Sequence, residues 1–526
     1  MFPQTPSSLS FRILSHAGLL VQGAGKNLVF DPWLVGSSYW RSWWNYPPVP
    51  RDLVESLRPD FICLTHIHWD HFHGPSLRKF PRETPILIPR IPFLRMRKDL
   101  REMGFANIIE LRHGRSLELA PGLKITSYQF HVCNDSAAVV ECGGTVLFNA
   151  NDARITDGPL EQMLARHPRI DFAFRGLGRA DARTCFDFMD APMRARDHAG
   201  PQLRGFAEFA RKVGARHTIP FTGNHCHLHR ETFHLNHAVI TPHQVEAHCR
   251  AENPEGPEDS DGSDGPDVSK ERKVSKVTAM LAGDSWSRET GFDLAAAPTH
   301  VERERSLREY AEAQAPALEK FYALEGRTET TLAQAEGYFL EFIAALPASV
   351  RRMFRGRQVT WVLTGRTQSR FWVDIDKGLV REVAGIPDED HPLQIYTSAY
   401  IFRRCMAQNL FLHLALSKRV LFRCRRADAK YLHFLITLFN LYESGMLPTW
   451  KLLSPRYLLC WLPRWREAAG YAARLARVLL ARPLPLGEYL RTERPTPFTR
   501  FSPGTANTRI YRPKTAAIAV PGGSQL

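Results

Sequence analysis

The sequence predicts an α/β chain in two parts: a strand-rich half built around one histidine-rich loop, then a helix-rich α+β half. Three observations predict it. A short apolar run, Phe61-Ile62-Cys63-Leu64, leads straight into Thr65-His66-Ile67-His68-Trp69-Asp70-His71-Phe72-His73-Gly74. Apolar or alternating runs of strand length recur on both sides of it, separated by Gly, Pro, Asn and Asp. Beyond Trp286 the composition shifts to stretches dense in Glu, Arg and Ala with helical spacing.

In chain order, residues 11–16, 19–23 and 27–31 read as three short strands joined by tight turns. Asp31-Pro32-Trp33 closes the third. Residues 39–46 hold five aromatics in eight positions and run into Pro47-Pro48, which marks a loop. Loops beside a site supply its walls, so Trp40 and Trp43 are candidate substrate contacts.

The metal loop itself follows a buried strand, a rigid support. His66 and His68 lie two apart, so at a strand end both face one side. Asp70 and His71 fall on the following turn, within reach of a second point nearby. Imidazole nitrogens and a carboxylate at this density suit a divalent cation and are poor core material.

After that loop, 85–89 and 107–111 read as strands with a basic helix over 93–104 between them. Residues 124–130 alternate toward His131, at another strand end, where a third ligand of a first metal belongs. A hairpin follows, with strands at 137–141 and 145–149 around Gly143-Gly144. It ends in Asn151-Asp152, and a carboxylate there is placed to bridge two ions or complete the shell of one. A strand at 171–174 precedes a glycine-rich, arginine-bearing segment, 176–183. Its Arg179 and Arg183 are candidate contacts for an anionic group. The strand beginning at His217 then leads to His225, His227 and His229. A second metal needs one more imidazole beside Asp70 and His71, and spacing alone does not select among the three.

The HxHxDH pattern after an apolar strand resembles the signature of the metallo-β-lactamase superfamily. That resemblance implies a four-layer αββα sandwich with one or two metals between its sheets, and it leaves the reaction open. Asp31 resembles the family's first motif, which implies a residue that buttresses the metal loop. Pro220-Phe221-Thr222-Gly223 with His229, the hairpin from His131 to Asp152, and the segment near Gly176 are similar to the metallo-β-lactamase-like part of CMP-N-acetylneuraminate hydroxylase and its bacterial relatives. This likeness spans 11–286 and implies His229 as the ligand, with His225 and His227 nearer the mouth. The hydroxylase carries a Rieske domain, whose cluster needs Cys-x-His and Cys-x-x-His pairs. No Cys-x-His occurs here, so that pair of motifs is incomplete. An oxygenase would then draw its electrons from a separate protein.

Residues 252–267 hold seven acids, no Lys or Arg, and many Pro, Gly and Ser, which predicts a disordered insertion over 252–276 inside a first domain of residues 1–290. Helices are predicted over 301–325 and 332–346, strands at 359–363, 370–374 and near Val380, and long helical patterns from Thr397 to Met446. This helix-rich accessory domain extends over 300–490, with a loosely ordered tail at 491–526. The arginine-rich stretch 461–482 has the composition of a membrane-surface helix, but packing on its own domain is the favoured expectation.

The net charge of +15 is accompanied by no helix-turn-helix, zinc-finger or RNP-like pattern, so nucleic acid is not the expected partner. There is no Cys-x-x-Cys pair and no basic-then-apolar leader, and the longest apolar stretch, 409–422, is broken by His413, Lys418 and Arg419. A cytoplasmic protein with a small, anionic substrate is the expectation.

The ligand scheme that results has His66, His68 and His131 on one ion, Asp70, His71 and His229 on a second, and Asp152 between them. The ions are zinc or iron, with manganese a further option. The sequence reading favours a hydrolase acting on an ester, lactone or phosphodiester, with Asp70 orienting the attacking water and His225 or His227 serving the leaving group. A non-heme iron oxygenase is the alternative, and a silent metal-binding scaffold the third.

Overall fold

A computed structural model describes residues 8–470 apart from 131–134, 154, 156, 178–181, 191–198, 253–274 and 384–390. His131, Arg179, most of the acidic insertion and the whole tail from 491 therefore lie outside the described residues.

Two sheets face one another. The first runs Gly291–Asp293, Ser285–Ser287, Ser10–Ile13, Leu19–Gly23, Lys26–Phe30, Phe61–Cys63, Ile86–Pro89, Ile108–Leu111. The second runs Lys276–Val277, His217–Phe221, Phe172–Gly176, Thr145–Asn151, Asp135–Cys142, Leu123–Phe130, Ser116–Ala120. The period of two in these strands sends alternate side chains to opposite faces, and both faces are apolar. Phe11, Ile13, Val21, Leu28 and Phe30 meet Ile125, Val140, Leu147, Phe172, Phe174 and Ile219 in one core between the sheets. Leu20, Val29, Ile62 and Ile88 turn outward onto Leu77, Met96 and Leu100. Val139, Phe148 and Ala173 turn the other way onto Leu160, Met163, Phe209 and Val213. Helix, sheet, sheet, helix is the outcome, with each buried Val, Leu, Ile or Phe contributing about 1.5–3 kcal/mol.

Strand direction positions the site. Lys26–Phe30, Phe61–Cys63, Ile86–Pro89 and Ile108–Leu111 are parallel neighbours, and so are Thr145–Asn151, Phe172–Gly176 and His217–Phe221. Their carboxyl ends deliver the segments beginning at Leu64, Asp152, Leu177 and Thr222 to one edge of the sandwich.

The second half is built on a sheet ordered Phe186–Phe188, Val420–Cys424, Leu393–Ser398, Gln358–Thr364, Ser369–Asp374, Leu379–Glu382. Its first strand comes from within residues 1–290, because Phe186 packs on Phe422 and His433 rather than in the sandwich. A boundary at 290 is thus crossed by a strand exchanged backwards. Helix His300–Arg327 starts at a Thr299/Glu302 capping box and helix Leu332–Ala345 at a Thr331/Gln334 box. The second helix buries Ala335, Phe339, Phe342 and Ile343, the face its spacing predicts. The helical pattern read from Thr397 to Met446 is interrupted: helix Ala399–Gln408 is followed by the strand Val420–Cys424, then helix Ala429–Glu443. Val420, Phe422 and Cys424 point inward while Leu421 and Arg423 point out, and the strand pairs antiparallel with Leu393–Thr397.

The halves are tied by buried charge. The Arg419 guanidinium donates to Glu325 at 2.9 Å, to Glu231 at 2.8 Å and to the Trp40 carbonyl at 3.0 Å. Of the arginine-rich stretch, the described part puts Arg464 over the Trp461 ring and in an ion pair with Glu467. No helix among the described residues is long and apolar enough to cross a membrane.

Candidate metal centre

The metal loop is built on one buried carboxylate. Asp31, at a positive φ of 40°, turns back beneath the loop. It accepts the Thr65 N–H at 2.8 Å and the Thr65 hydroxyl at 2.7 Å, faces His71 Nδ1 at 3.0 Å, and is bonded by the Asn151 amide. Because the Thr65 hydroxyl donates to Asp31, its oxygen accepts from His66 Nδ1, 3.0 Å away. His66 then carries its proton on Nδ1, and both rings, held through Nδ1, turn Nε2 into the site.

Those nitrogens converge with carboxylate oxygens. His71 Nε2 lies 3.5 Å from Asp70 Oδ2 and 3.4 Å from Asp152 Oδ2. His66 Nε2 lies 2.9 Å from His68 Nδ1. Donor atoms within 4.8 Å of one another form three groups: His66, His71 and Asp152; His66, His68 and Asp135; and His16, Asp70 and His71. Gly176 is required beside them, since a Cβ there would lie 2.6 Å from Asp152 Oδ1 and 2.9 Å from the Asn151 carbonyl.

The electrostatics fit a cation. Asp31, Asp70 and Asp152 crowd around one imidazole with little water to screen them. Burial opposes charge on His71, yet Asp70, Asp152 and Asp31 together lift it well above the ordinary imidazole range. Burial likewise opposes charge on Asp70 and Asp152, and His71 holds both below the usual carboxylate range. His66 and His68, with burial as the main cause and neighbouring imidazoles adding to it, fall to about 4 and are neutral at pH 7. A dense set of largely buried carboxylates facing imidazole nitrogens is the donor chemistry of a divalent ion.

The predicted residues divide as follows. His66, His68, Asp70, His71 and Asp152 come together, with Asp31 beneath them. His229 does not join any of the three groups. Its Nδ1 accepts the Glu231 N–H at 3.2 Å, so its proton sits on Nε2, which faces Glu325 at 3.8 Å. His225 lies flat on Trp43, with ring centroids 4.2 Å apart, and edge-on to His16. His227 places Nδ1 3.3 Å from the Ser42 carbonyl. Burial holds His225 well below the ordinary range and His227 at about 3, so near neutral pH both rings are uncharged. Trp40, expected on a substrate wall, is instead buried in the core of the second half against Trp69. Arg183 falls in the turn of 3₁₀ helix Ala182–Cys185.

Three residues at the site escaped the sequence reading. His16 sits in a hairpin turn, Asp135 opens a strand, and His413 comes from the second half, stacked on Trp69 at 4.8 Å with its ring 6.0 Å from that of His68. An isolated histidine gives no spacing signal. Tyr39, whose hydroxyl donates to Asp70 at 2.6 Å, was legible only as one of an aromatic cluster.

No protein-family profile matches the chain. A Mycobacterium tuberculosis protein named as a Rieske 2Fe-2S iron-sulfur protein is 29% identical over 238 residues, covering 42% of this chain and 45% of the relative. Cytidine monophosphate-N-acetylneuraminic acid hydroxylase of Pongo pygmaeus is 27% identical over 183 residues, 32% of this chain and 31% of the hydroxylase. The chain thus spans less than half the length of these curated relatives. Among solved structures, an isothiocyanate hydrolase from Delia radicum gut bacteria aligns at 17% identity and TM-score 0.37, over 52% of this chain and 98% of that one. The diiron β-hydroxylase CmlA of Streptomyces venezuelae aligns at 15% identity and TM-score 0.30, over 42% and 45%. Likenesses this slight add nothing to the layer order already described.

Proposed function

Starting from a chain with the four-layer sandwich of the metallo-β-lactamase superfamily and sequence relatives among the CMP-N-acetylneuraminic acid hydroxylases, we propose a metal-dependent oxygenase that acts on an anionic small molecule and takes electrons from a separate protein. The observation that carries the reading is Asp135 beside His66 and His68. Two imidazoles and one carboxylate suit ferrous iron better than an all-imidazole set. The names of the sequence relatives point the same way.

In this reading His66, His68 and Asp135 hold one ion, Asp70 and His71 the other, and Asp152 stands between. Ions held there supply Lewis acidity and, as iron, redox capacity. The chain's own residues do the rest. Asp31 and Thr65 fix which imidazole nitrogens turn into the site. Tyr39 holds Asp70 in place through its hydroxyl. Trp43, Trp69 and His413 wall the site against water, which keeps electrostatic interactions inside it strong. Arg179 and Arg183 are assigned to the anionic part of the substrate.

Hydrolysis of an ester, lactone or phosphodiester draws on the same donors and is the second reading. The neutral state of His225 and His227 weighs against it, because protonating a leaving group requires an acid. The test is metal analysis of protein purified without oxygen, followed by O₂ uptake with a chemical reductant. Iron together with uptake that His66→Ala abolishes is the expected result. Zinc together with cleavage of bis(p-nitrophenyl) phosphate or a p-nitrophenyl ester under argon would refute oxygenation and favour the hydrolase.

A further inference from the structure

We propose that His16 is the remaining protein ligand of the ion held by Asp70 and His71, the place for which the sequence offered His225, His227 or His229. The inference rests on the two-metal reading but not on which chemistry the metals perform.

His16 lies in the turn between Ser10–Ile13 and Leu19–Gly23, far in sequence from the metal loop. The turn is stiff. Leu14 N–H bonds the Gly18 carbonyl at 2.8 Å, Gly18 N–H bonds the Ser15 hydroxyl, and a Cβ at Gly18 would meet that hydroxyl at 2.4 Å. Asn45 accepts the His16 backbone N–H at 3.1 Å and donates to the Trp33 carbonyl at 2.9 Å, so the backbone is tied at a second point. The ring is 2% exposed and wedged edge-on among Trp33, Trp43 and His225.

From that position Nε2 reaches Asp70 Oδ2 at 3.3 Å, the same oxygen that His71 Nε2 faces at 3.5 Å. Asp70 Oδ1 is already occupied by Tyr39. His71 Nδ1 is taken by Asp31, and its buried Nε2, turned toward that carboxylate oxygen, has no hydrogen-bond partner among the described residues. Imidazole nitrogens and a carboxylate oxygen gathered at one buried point suit a shared divalent cation. His16 Nε2 completes a triangle around that point, with all three atoms within 4.8 Å of one another. On the other side of the ring, Nδ1 is buried and has no hydrogen-bond partner among the described residues. Nothing there pulls the imidazole away from the ion. Neither His229 nor His225 contributes to any of the three donor groups.

The test titrates Co²⁺ into chelator-treated full-length protein and its His16→Ala, His16→Gln, His225→Ala and His229→Ala variants, reading metal equivalents and the cobalt d–d absorption. Near-UV circular dichroism checks the fold. His16→Gln keeps a donor for Asp70 and serves if His16→Ala does not fold. The expected result is two equivalents for the parent and His229→Ala, one for the His16 variants, and an altered absorption in the latter. Two equivalents with an unchanged spectrum in folded His16→Gln would overturn the ligand assignment, as would loss of the second ion in His225→Ala alone. No cobalt bound by the parent would instead overturn the two-metal reading.

Discussion

Gly176→Ala tests whether close backbone packing sets the metal centre. The added methyl carbon would stand 2.6 Å from Asp152 Oδ1, 2.6 Å from Thr222 Oγ1 and 2.9 Å from the Asn151 carbonyl, whereas ordinary contact begins at 3.4 Å. Asn151 and Thr222 are backbone-constrained at φ values of 49° and 50°, so the Asp152 carboxylate is the freer group and must retreat by about 0.8 Å. Ligand distances are held to within about 0.2 Å in working metal sites, so such a retreat takes Asp152 out of range. Overpacking adds a fold penalty of about 1–3 kcal/mol. Calorimetric titration of zinc or cobalt into chelator-treated protein should show affinity lower by at least about tenfold, equivalent to about 1.4 kcal/mol. Thermal melting of the apo variant reports the fold penalty separately. A variant that binds the parent's number of ions with the parent's affinity would refute the assignment of Asp152 as a ligand.

Other outcomes follow from the same geometry. Asp31→Asn removes the oxygen that orients His71 and should weaken metal binding by about 10–100-fold in the same titration, with the metal-contacting residues themselves intact. Arg419→Met leaves the buried Glu325 carboxylate without its guanidinium and should cost about 3–5 kcal/mol in urea denaturation followed by tryptophan fluorescence; an unmoved midpoint would show that the clamp contributes nothing. Glu443, raised to about 8 chiefly by burial, keeps a proton in the folded chain that the unfolded chain loses near 4.5. Its contribution therefore falls as pH rises between those values, by up to about 1.4 kcal/mol per pH unit. Glu443→Gln should flatten that part of the stability profile, and a profile identical to the parent's would count against the burial argument.

Much of the sandwich was legible because its signals are local. The strand at Phe61–Cys63 and the hairpin ending in Asp152 are short apolar runs bounded by Gly and Asn, and alternation along them suffices to assign their faces. The helix Leu332–Ala345 was legible through the spacing of Phe339, Phe342 and Ile343. The strand Val420–Cys424 was not, because its five residues sit inside the longer pattern from Thr397 to Met446, whose helical and extended readings differ here only in what pairs with them. That partner, Leu393–Thr397, lies more than twenty residues earlier.

By itself the sequence determined the centre of the site: four candidate ligands in six residues leave the chain few ways to avoid a common point, since covalent spacing already brings His66, His68, Asp70 and His71 together. Tertiary structure alone decided which distant side chains complete it. His16 arrives on a neighbouring hairpin, Asp135 at a strand start and His413 from the second half, while His229, equally eligible by spacing, is captured by Glu231 and Glu325. The physical reason is that ligation requires a bare lone pair at a particular place. Whether a histidine has one depends on what its other nitrogen meets once the sheets have packed.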